Sequence, residues 1–235
     1  MNKLVKYLID EGYLRTPEII RAFEFIDRAK FLGSKYQDGA AYEDIAIVLD
    51  SGEIIFHPST VAQMIELLEP KPGDKVLEIG TGSGWQTAII ACVASNFSVF
   101  KNQTASVGES SDDDDKIISK QTDFSLGGVV SLDRHKLITE QAEKNLNEYG
   151  FVRDDITRIV RRDVVFGYTK EAPYDKIISN VCPNVIPRKW KDNLKVGGKL
   201  VTPFGQSLLV LEKTGKDTFK KSSYFGFTFP MTVFA

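Results

Sequence analysis

From residue 74 onward, strand-length apolar runs alternate with helix-length ones, and the first pair is joined by a run of glycines. KVLEI (75–79) has the length and content of a buried strand, GTGSG (80–84) follows, and WQTAIIACVA (85–94) suits a buried helix. VVSLD (129–133), TRIVR (157–161), YDKIIS (174–179), KLVTPF (199–204) and SLLVLEK (207–213) continue the strands, and the tail YFGFTFPMTVF (224–234) supplies a last one. Helices are predicted over 137–150, with Ile138, Ala142 and Tyr149 on one side and Gly150 as the stop, and around 187–194. Parallel neighbours need crossover connections, so this alternation predicts an α/β fold. It is a doubly wound, mostly parallel, seven-stranded sheet with helices on both faces.

The first 73 residues read as a helical extension packed on the 74–235 core, the whole forming effectively one domain. Leu4, Val5, Leu8 and Ile9 fall at helical spacing, and Thr16-Pro17-Glu18 is a start signal with a hydroxyl N-cap and proline at N1. A third helix is expected over 59–69, with Val61, Met64, Ile65 and Leu68 inward, ended by Pro70, Pro72 and Gly73. Residues 96–128 break the rhythm. They are polar and carry Asp112 to Asp115 in a row, the pattern of a solvated surface loop without the spacing of a calcium-binding loop.

Composition excludes several function classes. Thirty basic against 32 acidic residues give a net charge of −2, so no nucleic-acid partner is expected. Two histidines, and two cysteines without CxxC spacing, predict no metal site and fit a reducing, cytoplasmic setting. No apolar run reaches the ~20 residues that span a bilayer, and Asp10 and Glu11 interrupt the only leader-like stretch. A monomer without membrane attachment is expected.

The glycine loop carries the chemistry. Glycines permit a tight turn and close approach of a ligand to the backbone, and the following helix begins with unpaired N–H groups. Dinucleotide sites use GxGxxG with an acid about 20 residues on. Here the spacing is GxGxG, preceded by Glu78, and Asp133 closes the next strand. With the insert set aside, Asp133 lies 16 residues beyond Gly84, where a carboxylate can take both hydroxyls of a ribose. Acids around the loop suit a cationic ligand, and S-adenosylmethionine is a sulfonium.

LEIGTGSGWQTAIIA resembles the first motif of Rossmann-like methyltransferases, specifically the protein-L-isoaspartate O-methyltransferase family. VVSLDR with NLNEYG, APYDKII, IPRKWKDNLKVGGKLVTPFG, DRAKFLGSKYQDGAAYED and FTFP are similar to further segments of that family. The resemblance implies a methyltransferase that uses S-adenosyl-L-methionine, releases S-adenosyl-L-homocysteine, and methylates the carboxylate of L-isoaspartyl residues in damaged proteins. The ester would then collapse to a succinimide. It implies a cofactor site of Glu78, Gly80, Thr81, Gly82, Ser83, Gly84, Asp133 and Arg134, with Asp163 beside the adenine. At that last position the family carries Gly-Asp-Gly, against Arg162-Asp163-Val164 here.

The acceptor strip departs from the family. Gly-x-Thr-Ile-Ser-x-Pro aligns with Gly52-Glu53-Ile54-Ile55-Phe56-His57-Pro58, so Ile54 and Phe56 replace both hydroxyls. Phe56 and His57 become the candidate acceptor-side residues, His57 as a donor or base and Phe56 as an apolar lid. The alternatives are a weak or inactive member serving as a cofactor- or protein-binding module, or a methyltransferase with another acceptor. Topology puts the insert at the N-terminal edge of the sheet, opposite the ligand edge. Deleting residues 100–122 is therefore expected to leave affinity for S-adenosyl-L-homocysteine unchanged by calorimetry; a tenfold loss would contradict this.

Overall fold

A computed structural model describes residues 3–33, 36, 39–49, 52–96, 127–229 and 231–232. The expected loop within 96–128, with its four aspartates, lies almost wholly outside these residues. Helix α1 (Lys3–Asp10) buries Leu4, Val5 and Leu8, and α2 (Pro17–Phe25) buries Ile19, Ala22 and Phe23, as their apolar spacing dictates. The predicted hydroxyl cap on α2 is not formed. Thr16 Oγ1 instead donates to Glu66 Oε2 at 2.7 Å, while the Arg15 and Thr16 amides donate to Glu66 Oε1 at 2.8 and 2.9 Å. The two amides that lead into the helix are thus satisfied from another helix, a partner that local sequence does not contain. A hairpin of β1 (Ile47–Val48) and β2 (Ile54–Ile55) leads into α3 (Pro58–Leu68), which buries Val61, Met64, Ile65 and Leu68 and stops at Glu69 in the left-handed region.

The sheet contains β3 (Lys75–Ile79), β4 (Gly128–Asp133), β5 (Thr157–Arg161), β6 (Tyr174–Ser179), β8 (Leu194–Phe204), β9 (Ser207–Lys213) and β10 (Phe219–Phe225). Their order is β10-β9-β8-β6-β3-β4-β5. The five strands from β8 to β5 are parallel, and β9 and β10 are antiparallel. The chain lays down β3, β4 and β5 outward to one side, then returns to place β6 on the other side of β3. That reversal is the switch point of the sheet, where adjacent strand ends splay and open a crevice.

Alternate residues of β3 feed two cores. Val76 joins Leu8, Phe23, Ile65 and Ile89 of α1 to α3 and of α4 (Trp85–Ala94), together with Leu146 of α5 (Lys136–Asn147). Leu77 and Ile79 point the other way, toward Val164, Trp190 and Leu200. On that second face the described residues supply one short helix, α6 (Arg188–Asn193), and two 3-10 turns, Val164–Phe166 and Thr169–Glu171. The N-terminal helices share a single core with the sheet.

One expected strand is displaced. The seventh strand is Phe219–Phe225, which shares only Tyr224 and Phe225 with the predicted 224–234. The Thr214 amide donates to the Thr218 carbonyl at 2.9 Å, closing a tight turn that starts the return strand early. FKKSSYF lies at the sheet edge with lysines outward, so it has no apolar periodicity to announce it. The tail instead supplies β11 (Met231–Thr232), paired in parallel with β7 (Cys182–Pro183).

The backbone at residues 41–45 and at Phe56 is held from within by Arg28, 1% exposed. Its Nη1 donates to the carbonyls of Ala41 and Glu43 at 3.3 and 3.1 Å, and Nη2 to those of Ile45 and Phe56 at 3.0 and 3.5 Å. The guanidinium lies 5.2 Å from the Trp85 ring centroid. Burial pushes its pKa down to about 10, opposed by Asp44, so it stays cationic at neutral pH. Arg28→Ala would strand these carbonyls at about 1–3 kcal/mol for each one left buried. We expect a loss of at least about 3 kcal/mol, or roughly 6–12 °C in Tm for a chain of this size, measured by calorimetry. Exposed Arg21→Ala should change stability by less than about 1 kcal/mol; equal effects would contradict the account.

Candidate active site

The C-terminal ends of β3, β4 and β6 meet at the switch point, and each contributes to one crevice. β3 runs into the glycine loop, where Gly80, Gly82 and Gly84 have φ of 90°, 53° and 85°. All three lie in the left-handed region, which L side chains adopt at a cost. At Gly80 a Cβ would also press on Asn180 and Val181 at 3.4 Å, so the loop and the end of β6 pack backbone to side chain. The Gly80 and Thr81 amides donate to the Leu132 carbonyl at 2.8 and 3.2 Å. Thr81 Oγ1 lies 2.7 Å from Ser131 Oγ, and Asn145 Nδ2 donates to the Ser83 carbonyl at 2.9 Å. The loop is thereby fixed against β4 and α5.

Beneath it lies Glu78, fully buried. Thr87 Oγ1 of α4, Ser131 Oγ of β4 (2.7 Å) and Asn180 Nδ2 (3.3 Å) all donate to its carboxyl group. Burial pushes its pKa up to about 7; the three donors oppose the shift and Asp133 adds to it.

The crevice is a cavity of about 390 Å³. Of the residues predicted from sequence, Gly80, Thr81, Gly82, Ser83, Asp133, Arg134 and Phe56 line it. Asp133 is 7% exposed and its Oδ1 accepts from the His135 amide at 3.0 Å. Arg134 Nε donates to His135 Nε2 at 3.1 Å. Four expected residues are not in the lining. Glu78 and Gly84 lie behind it, Glu78 as the buried support and Gly84 as the N-cap of α4 against Leu146. His57 is an exposed N-cap residue of α3, because Pro58 at N1 starts the helix and directs the preceding side chain outward. Asp163 is exposed and caps a 3-10 turn, its Oδ1 accepting from the Val165 amide at 3.0 Å. Cys182, at the end of this edge, is buried in the core rather than in the cavity.

Several lining residues escaped the sequence reading: Val61, Trp85, Gln86, Asn180 and Val181. Asn180 was legible in principle, because the residue after the strand beside β3 must reach a switch-point crevice. Its Nδ2 donates to the Gly80 carbonyl at 2.9 Å as well as to Glu78, which leaves Oδ1 buried without a protein partner. Gln86 also had a signal. It and Thr87 are the two polar residues of a helix whose ten residues are all buried. Thr87 serves Glu78, whereas both amide atoms of Gln86 are buried and have no partner among the described residues. Opposite stands an apolar wall: Ile54, Ile55 and Phe56 line the cavity, and the Phe56 ring meets Phe229 edge-on at 5.3 Å. Among the described residues no cluster of three His, Cys, Asp or Glu side chains could hold a metal ion.

The raised pKa of Glu78 has a definite sign for stability. The unfolded carboxyl titrates near 4.5 and the folded one near 7. Between these values the folded state holds the extra proton, so stability is favoured below pH 4.5 and declines as pH rises toward 7. In ligand-free protein, Glu78→Gln should remove on the order of 3 kcal/mol of this pH dependence between pH 5 and 8. Parallel Tm–pH profiles for the two proteins would contradict the assignment.

Comparison with known proteins agrees with this geometry. A family model described as protein-L-isoaspartate(D-aspartate) O-methyltransferase matches residues 1–112 and 116–231. A protein-L-isoaspartate O-methyltransferase of Hyperthermus butylicus is 35% identical over 217 residues, covering 91% of this chain and 80% of its own. One from Staphylothermus marinus is 32% identical over 219 residues, covering 92% and 85%. The fold matches that of a Plasmodium falciparum protein described as a member of this enzyme class and solved with S-adenosyl-L-homocysteine. The TM-score is 0.75, with 20% identity, over 98% of this chain and 97% of that one. A family match over nearly the whole length, with relatives at 32% and 35% identity, places the chain in the protein-L-isoaspartate(D-aspartate) O-methyltransferase family.

Proposed function

We propose that this protein is an S-adenosyl-L-methionine-dependent methyltransferase acting on the carboxylate of L-isoaspartyl residues in damaged proteins. The observation that carries the reading is the crevice itself. It sits at the switch point, is floored by two left-handed glycines, Gly80 and Gly82, and is walled by a nearly buried carboxylate at the end of the neighbouring strand. Its polar groups fit the cofactor. Among the described residues the Asp133 carboxylate accepts one amide hydrogen bond, which leaves lone pairs for a ribose diol. Asn180 Oδ1 is a buried acceptor without a donor, suited to an ammonium group. Gly80, Thr81, Gly82 and Ser83 let the ligand approach the backbone, and Arg134 borders the same end. Glu78 supports the loop from below rather than touching the ligand. Asp163 and His57 are given no part, since neither lines the cavity.

When bound, S-adenosyl-L-methionine supplies a methyl group on a positively charged sulfur. An acceptor carboxylate is already ionised at neutral pH, so no protein base is required. The task of the chain's own residues is to hold the acceptor oxygen in line and to exclude water, and correct placement accounts for most of such rate enhancement. The walls formed by Phe56, Val61 and Trp85 serve the second purpose. The chain acts in the cytoplasm as a monomer without a membrane or nucleic-acid partner. The near-neutral charge and the lysines on edge strand β10 support this reading, and among the described residues no helix is long and apolar enough to cross a membrane.

Ile54 and Phe56 favour a second reading, in which the chain binds the cofactor without turnover. The two separate in one experiment. With labelled cofactor, a peptide containing an L-isoaspartyl residue should be methylated and its aspartyl twin should not. Equal labelling of both would remove the acceptor assignment. Tight binding of S-adenosyl-L-homocysteine without any labelling would favour the second reading.

A further inference from the structure

We propose that Gln86 is the specificity-determining residue that orients the acceptor carboxylate, in place of the hydroxyls that Ile54 and Phe56 do not supply. The inference rests on the methyl-transfer reading and names the group that makes it workable. The 54–56 strip presents no polar side chain: Ile54, Ile55 and Phe56 line the cavity, and Phe56 is packed against Phe229. A carboxylate entering there meets hydrocarbon on that side, and a charge in an apolar mouth without donors is strongly disfavoured.

Gln86, in the first turn of α4, lines the same cavity as Phe56, Val61 and Trp85. It is 6% exposed, and neither Nε2 nor Oε1 has a hydrogen-bond partner among the described residues. A buried, wholly unpaired amide is rare, because both its atoms give up hydrogen bonds to water. It persists where a ligand or ordered water completes it. Nε2 offers two donors, and a carboxylate is acceptor-only, so the two are complementary.

Of the other polar residues in the lining, Glu53 would repel a carboxylate, Thr81 Oγ1 is engaged with Ser131 Oγ, Ser83 Oγ accepts from the Trp85 amide at 3.4 Å, and the remaining three are placed for a different moiety. Asp133 and Arg134 stand at the end of β4, and Asn180 Oδ1 is an acceptor beside the glycine loop. Two of these would repel or fail to donate to a carboxylate. Two lining residues carry a neutral, buried donor without a partner among the described residues, Trp85 Nε1 and Gln86 Nε2, and of the two only Gln86 offers a pair of N–H groups to a carboxylate. A neutral donor fixes the direction of a carboxylate oxygen without the ion pair that would hold its charge away from an electrophile.

The test compares the full-length protein with Gln86→Leu, Gln86→Glu, and Gln86→Leu combined with Ile54→Thr and Phe56→Ser. Kinetics on an isoaspartyl peptide are measured alongside calorimetric Kd for S-adenosyl-L-homocysteine and Tm. In Gln86→Leu, kcat/KM for the peptide should fall about 10- to 100-fold, the value of one hydrogen bond to a charged group. The S-adenosyl-L-homocysteine Kd should stay within about twofold and Tm should not fall, since leucine removes an unpaired buried amide. Gln86→Glu should lose more, by like-charge repulsion. The restored hydroxyls should recover most of the activity lost in Gln86→Leu, a rescue that a purely structural role does not produce. Unchanged peptide kinetics in both single variants would overturn the inference and leave the methyl-transfer reading standing. So would a parallel rise in S-adenosyl-L-homocysteine Kd, which would move Gln86 to the cofactor side. A wild-type protein that binds S-adenosyl-L-homocysteine and labels no isoaspartyl peptide would overturn both.

Discussion

A buried carboxyl group ties the molecule together where its chemistry is performed. Glu78 gathers donors from α4, β4 and the end of β6, so four elements converge on one side chain. Each donor fixes a neighbour of the crevice. Ser131 also meets Thr81, and Asn180 also holds the Gly80 carbonyl. The loop geometry thus depends on a polar knot inside an apolar sheet, in which the Asn180 Oδ1 atom is the acceptor left for a ligand to complete. Its pKa near 7 shows the strain of that arrangement: burial resists ionisation more than the three donors favour it. A cationic ligand above the loop would favour the ionised form, so occupancy of the crevice and the charge beneath it are coupled.

The second constraint is Arg28. Its guanidinium reaches carbonyls from Ala41 to Phe56 and lies over Trp85, so one side chain joins the strip, the preceding turns and the first residue of α4. The wall opposite the glycine loop is therefore as firmly placed as the loop. That matters because the wall is apolar. Phe56 is held in position by Arg28 and by Phe229, and Ile54 by its pairing with Val48, so the absent hydroxyls are a feature of an ordered site rather than of a loose one.

The parallel strands and the glycine loop were legible because their signals are local. Each strand from 75 to 204 is a short apolar run, and GTGSG sits where only residues free to take positive φ can turn. Strand β10 was not legible, because an edge strand has one face in water and one edge without a partner, and its sequence shows lysine and serine instead of alternation. The absence of a Thr16 cap was equally hidden, since Glu66 lies 50 residues away. Within the site, the acids were found by counting from the loop, yet Asp163 and His57 were assigned to it and turn elsewhere. Each is the residue that starts a helical turn, and its local backbone decides where it points.

The sequence by itself determined the class of fold, the position of the crevice and the family, because strand periodicity, helix length and glycine conformation act over a few neighbouring residues. Only the tertiary structure decided which side chains face the cavity. Gln86 and Asn180 join it, and Glu78 withdraws beneath it. Those outcomes depend on groups brought together from 50 to 100 residues apart, where burial and the count of available donors settle what each polar atom can do.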